Sequence, residues 1–211
     1  MTTLTPEGRE RLHRRVRFIV AFTISYNVLE AIVAIAAGVM ASSAALIGFG
    51  LDSVVEVLSA VAVAWQFTRK DPERWEKVTV RAIGLAFFAL AAYVSIDAIT
   101  SLIAQEGPEH SPLGIGITAL SLVVMPLLAW WETRTGRELA SKSVLADAKQ
   151  LLLCVYLSGA VFIGLLLNSL LGWWWADSVA ALVVAGLAVR EGIEAWRGEV
   201  ESPFAALDDD D

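Results

Sequence analysis

Six stretches of the chain are almost wholly apolar and are separated by short polar connections: approximately residues 18–38, 43–67, 82–104, 112–131, 144–168 and 173–193. About 20 mainly apolar residues, rising 1.5 Å each, cross the roughly 30 Å of hydrocarbon in a bilayer. Each stretch meets that length. The pattern therefore predicts an all-α integral membrane protein, a bundle of six transmembrane helices. The first stretch is too long for the apolar run of a secretory signal, and it carries Asn27 and Glu30, so it reads as a mature span.

Composition sharpens this. Of the 211 residues, 56% are hydrophobic and 18% charged, against about 45–50% and 25% in soluble domains. Such a chain is neither an ordinary soluble domain nor a disordered one. A single cysteine, Cys154, excludes an intrachain disulfide and leaves the redox compartment open. The formal net charge of -7 includes the terminal run Asp208 to Asp211, which reads as a solvated end and carries no weight for the fold.

The placement of charge matters more than its sum. Arg9, Arg11, Arg14, Arg15 and Arg17 precede the first span. Arg69, Lys70, Arg74, Lys77 and Arg81 follow the second; Arg134, Arg137 and Lys142 follow the fourth. Lys149 lies near the start of the fifth span, and Arg190 and Arg197 at the end of the sixth. The connections around 39–42, 105–111 and 169–172 contain no lysine or arginine. All sixteen basic residues thus fall on one side, and the positive-inside rule places both termini in the cytoplasm of a multi-pass cell-membrane protein. The expected organisation is a basic cytoplasmic segment over 1–17, a six-helix transport domain over 18–197, and a short acidic cytoplasmic tail over 198–211 with no carboxy-terminal soluble domain.

Tryptophans fit the same frame. Trp65, Trp130, Trp131 and Trp196 are expected at the inner interface, and Trp173, Trp174 and Trp175 at the outer one. Gly38, Gly48, Gly50, Gly159, Gly164 and Gly186 are expected to permit close helix packing. Pro126 is a candidate kink in the fourth span.

An ionisable side chain at the centre of a span costs roughly 2.5–3.5 kcal/mol on insertion scales. Span 2 nevertheless carries Asp52 and Glu56, and no lysine or arginine. Their i,i+4 spacing stacks both carboxylates on one helical face. Span 5 carries Asp147, Gln150 and Cys154 at spacings that share a face, while Lys149 is rotated away from it. Measured from the inner edge, Asp52 and Cys154 lie roughly 16 Å deep, and Glu56 and Gln150 roughly 10 Å. Asp52 with Cys154, and Glu56 with Gln150, are thereby expected to form a four-ligand cage. Carboxylates, a thiolate and an amide oxygen suit a divalent metal, and the thiolate tilts the choice towards zinc, cadmium or cobalt. Because carboxylate and thiol must lose protons to bind metal, such a site is equipped for exchange. Asn27 and Glu30 are expected to line the path, and Asp147 to gate entry or cap its helix. Asp97 and Asp177 fall near the outer ends of their spans. His13 and His110 lie near span ends and are not expected to be ligands.

At these residues the sequence resembles the cation diffusion facilitator (cation efflux) transporters. Ser42-Ser43-Ala44-Ala45-Leu46 leading into Leu51-Asp52-Ser53-Val54-Val55-Glu56 resembles the family's span-2 signature. Ala146-Asp147-Ala148 opens span 5 as the family does, and Trp175-Ala176-Asp177 followed by Arg190-Glu191-Gly192 is similar to its span 6. The resemblance covers about 18–197. It implies six spans, cytoplasmic termini, a homodimer, and a mid-membrane site built from an acid pair on span 2 and a His-x-x-x-Asp pair on span 5. Here Gln150 stands at the histidine position and Cys154 at the aspartate position. The family's cytoplasmic metal-binding domain and a histidine-rich loop have no counterpart.

The function these readings imply is export of a divalent cation, zinc foremost, from the cytoplasm in exchange for protons. The cation is the only ligand expected, with no further cofactor and no nucleic-acid partner. The alternative is a membrane metal sensor or scaffold on the same fold that does not transport. Catalysis is not expected: an intramembrane serine protease needs a histidine base in the membrane, and a metalloprotease a paired-histidine helix motif.

Overall fold

The computed structural model describes residues 6–67, 72–139 and 142–197. Six helices account for nearly all of them: α1 (Pro6–Ala41), α2 (Ala44–Phe67), α3 (Pro72–Ala104), α4 (Pro112–Leu139), α5 (Lys142–Leu171) and α6 (Ala176–Arg197). The expected tail over 198–211 lies outside the described residues. Three helices open on proline, Pro6, Pro72 and Pro112, where its fixed φ is pre-organised and its missing N–H is no loss. Most helices outrun the apolar stretches: α1 takes in much of the basic segment and α3 begins ten residues earlier than its apolar run. A helix continues into water because its backbone bonds are internal.

Among the described residues, four helical segments are long and apolar enough to cross a membrane: Phe18–Ala41, Arg81–Ala104, Pro112–Glu138 and Leu151–Leu171. The surface matches. Leu29, Met40, Ile103 and Leu170 are among the large apolar side chains turned outward, far more than a soluble monomer exposes. This is an all-α, multi-pass membrane protein.

The helices pair as α1 with α2, α3 with α6, and α4 with α5, and α2 also packs on α3, α5 and α6. Small residues let it do so. A Cβ on Gly50 would lie 2.9 Å from the Ile35 backbone nitrogen, and one on Gly38 2.8 Å from that of Ile47, so α1 and α2 touch almost backbone to backbone. Gly48 receives Val94 and Val184, and Gly164 receives Ala180. Two expected packing glycines differ: a Cβ on Gly159 would find only a 3.8 Å contact, and one on Gly186 would meet open space.

The three connections without basic residues meet at one end of the bundle. Glu109 N–H donates to Ala41 O at 2.8 Å, Asn168 Nδ2 donates to Pro108 O at 2.9 Å, and Gly107 lies against Trp174. Each of the three helices arriving there stops on a left-handed residue: Ser42 (φ 53°), Gln105 (φ 57°) and Gly172 (φ 67°). Ser43 N–H reaches back to Gly38 O, and Glu106 N–H to Ser101 O, the bond that closes a Schellman end. Trp173 and Trp175 stack in the last connection, with ring centroids 5.2 Å apart, so this cluster precedes α6 instead of opening it.

Close approach of α1 and α2 gives a direct test. Gly50→Ala is expected to lower stability by about 1–3 kcal/mol through overpacking, while Gly186→Ala leaves it unchanged or slightly raised. Thermal unfolding of the two variants in detergent measures both.

Candidate metal centre

The site is built on α2, and α2 is fixed at its amino-terminal end. Ser43 precedes the helix as an N-cap: its Oγ accepts the Leu46 N–H at 3.1 Å and its carbonyl accepts the Ile47 N–H. Asp177, in the first turn of α6, closes the arrangement. Its Oδ1 accepts from Ser43 Oγ at 2.5 Å, and its Oδ2 accepts from Ala45 N–H at 3.3 Å. A carboxylate on the positive end of a helix dipole satisfies amides that nothing else reaches. The residue expected to lie near the outer end of span 6 is therefore buried, 2% exposed, and sets the rotation and height of α2.

From that anchor Asp52 and Glu56 follow about 12 Å and 18 Å down the helix, on the face turned to α5 and α1. Asp52 is 5% exposed, Glu56 8% and Cys154 1%. Cys154 Sγ lies 2.5 Å from Glu56 Oε1 and 4.0 Å from Asp52 Oδ2. One ligand atom from each of the three residues falls within 4.8 Å of the others. Residues separated by about a hundred positions in sequence thus converge as their spacing predicts. The level-by-level matching differs: the thiol serves both carboxylates and lies nearer Glu56, so α5 is displaced along α2 by part of a turn from the estimate. Small register shifts of this kind are set by side-chain packing between helices, which spacing alone does not carry. The side chains of Gln150 and Asp147 lie outside the described residues.

α1 completes the surroundings. Asn27, 3% exposed, donates from Nδ2 to Glu56 Oε2 at 2.7 Å. Glu30 is fully buried and accepts from Ser53 Oγ at 2.9 Å. Tyr26 and Ser121 approach the Glu30 carboxyl, and its Oε1 closes no hydrogen bond. Both path-lining candidates of span 1 therefore sit against the acid-bearing helix. Asp97 is half-buried and His110 exposed, outside this cluster; the His13 side chain lies outside the described residues.

A small cavity of about 10 Å³, room for little more than one water, borders Asp52, Glu56, Phe87 and Leu187 and ends at Glu191 of α6. Sequence spacing does not reveal Glu191 as a neighbour of the acid pair, since nothing in it says which face of α6 meets α2. A larger apolar groove of about 300 Å³ lies elsewhere, between α3 and α6 beside Phe88, Ile193 and Trp196.

Buried Ser158, one turn beyond Cys154 along α5, donates to the Cys154 carbonyl at 2.6 Å and lies 3.0 Å from Ser121 Oγ, tying α5 to α4 beside the thiol. At the opposite end of the bundle an exposed pair joins α1 to α4, Arg15 with Glu138 at 3.8 Å, and Arg190 pairs with Glu194 at 2.7 Å within α6.

If Asp177 anchors α2, Asp177→Ala should cost about 1–3 kcal/mol by leaving buried donors unsatisfied. Faster hydrogen exchange confined to the amides of Ala45 and Leu46 would report it; protection as in the parent chain would contradict the anchoring role.

Comparison with known proteins agrees with this architecture. Residues 20–200 match the cation efflux transmembrane domain. The chain is 28% identical over 169 residues to an uncharacterized transporter of Methanocaldococcus jannaschii, covering 75% of this chain and 59% of that protein. It is 25% identical over 210 residues to a manganese efflux system protein of Bacillus subtilis, covering 92% of this chain and 69% of that one. A magnetosome protein of a Magnetospira species is 25% identical over 167 residues, covering 74% and 57%. The chain spans between half and two thirds of the length of most of these relatives. With that match over most of its length, the chain belongs to the cation efflux family.

Proposed function

We propose that this protein moves a divalent metal cation out of the cytoplasm, with the cation held by Asp52, Glu56 and Cys154 and by Gln150 one turn below the thiol. The observation that carries this reading is the convergence of two carboxylates and a thiol, all buried, within 4.8 Å at the middle of the bundle. Membership of a cation efflux family supports it, as does the likeness to a protein named for manganese efflux. Zinc is the foremost substrate, with cadmium or cobalt as alternatives, because a thiolate among carboxylates favours softer ions.

Carboxylic acid and thiol hold protons when the site is empty and release them to a metal. Exchange of cation for protons follows from that competition. The bundle would cross the bilayer six times, with the basic end and both termini in the cytoplasm. Helix surfaces would form the interface of a homodimer. The organisation into a basic lead segment, a transport domain over 18–197 and an acidic tail belongs to the same proposal.

Two measurements test it. In proteoliposomes loaded with a metal-sensitive dye, Asp52→Ala abolishes cation flux while the purified variant keeps its helical content. Flux equal to the parent chain would end the proposal, and binding without flux in the parent chain would make the protein a sensor or scaffold. Cys154→Asp replaces a soft donor by a hard one and should move preference away from cadmium and towards manganese in competition binding. An unchanged order would remove the thiol from the ligand set.

A further inference from the structure

Asp52, Glu56 and Cys154 bring their ligand atoms within 4.8 Å of one another, and α1 passes close beside this cluster. Asn27 holds the position. It is 3% exposed, and its Nδ2 donates to Glu56 Oε2 at 2.7 Å. Its Oδ1 is buried and has no hydrogen-bond partner. The nitrogen and oxygen of a planar amide are about 2.2 Å apart, so Oδ1 lies within about 5 Å of Glu56 Oε2, the sum of that spacing and the hydrogen bond. The other oxygen of the same carboxylate, Oε1, faces Cys154. An amide oxygen left bare beside a metal-type cluster has the chemistry of a ligand in waiting, since buried acceptors are otherwise satisfied in nearly every case.

We infer that Asn27 Oδ1 is a ligand of the translocated cation, so that the site draws on α1 as well as on α2 and α5. This rests on the reading that Asp52, Glu56 and Cys154 hold the cation. Glu56 would bind through Oε1 and keep its Oε2 on the Asn27 amide, so one ion closes a ring through both side chains. The ligand is neutral and hard. It adds no charge to the site, it widens the range of ions the site accepts towards oxygen-preferring ones such as manganese, and it makes the position of α1 depend on whether the site is filled.

The alternative role for Asn27 is a brace that only orients Glu56 through Nδ2. Two substitutions separate the roles. Asn27→Leu removes both groups. Asn27→Asp removes the donor and keeps an oxygen. Cadmium binding and cadmium X-ray absorption on the purified full chain supply the readouts. Asn27→Leu is expected to weaken cadmium binding at least about 10–100-fold, the loss typical even of groups that only support a ligand, and to lower the count of oxygen neighbours by one. Asn27→Asp is expected to bind cadmium at least as tightly as the parent chain, with the oxygen count kept. Asn27→Asp binding as weakly as Asn27→Leu, or an unchanged oxygen count in Asn27→Leu, overturns the inference. Should Asn27→Leu fail to fold, Asn27→Asp decides alone, since weaker binding there overturns it. A parent chain that binds no cadmium defeats the cluster reading itself, a result distinct from either variant's.

Discussion

A carboxylate will not stay in an apolar interior unaccompanied, and the bundle is organised around the two that α2 carries there. Insertion of such residues is costly, and the cost is met by surrounding Asp52 and Glu56 with α1, α3, α5 and α6. Helices that gather round a central element need small residues where backbones meet. Gly38 and Gly50 on the α1–α2 contact supply them, and Gly48 and Gly164 do so further round. The apolar side chains displaced from this centre face outward, where a soluble protein would carry charge.

Position along the bundle is controlled from one end. Asp177 and Ser43 lock the start of α2 to α6, and the three short connections hold one another through Glu109, Asn168 and Gly107. From there the acids hang down into the interior like rungs. At the opposite end the exposed Arg15–Glu138 pair joins α1 to α4, and an exposed pair contributes little, about 0–1 kcal/mol.

The polar groups around the centre are not equivalent. Cys154 stands between the carboxylates and is closer to Glu56. Asn27 holds the far oxygen of Glu56, while Glu30 accepts from Ser53, with Tyr26 and Ser121 beside its carboxyl. Glu56 is therefore the residue at which α1, α2 and α5 meet, and Asp52 the one nearer the Ser43–Asp177 anchor.

Much of this was legible in the residues themselves. Hydrophobic run length determined that the chain is helical and membrane-bound, because hydrocarbon tolerates only backbone that satisfies its own hydrogen bonds. The four-residue spacing of Asp52 and Glu56 put them on one face, because a helix repeats every 3.6 residues. Depth counted along α5 put Cys154 within a turn of the acid pair, but level with Asp52 where the structure has it nearer Glu56. Tertiary structure alone decided the rest. It brought Glu191 to the edge of the acid pair, slid Cys154 towards Glu56, made Asp177 the anchor of α2, and ended two helices on Ser42 and Gln105 where no glycine marks the turn. Periodicity is a property of one helix and can be read along it. Rotation and register between helices come from the interlocking of many side chains at once, and no local pattern encodes them.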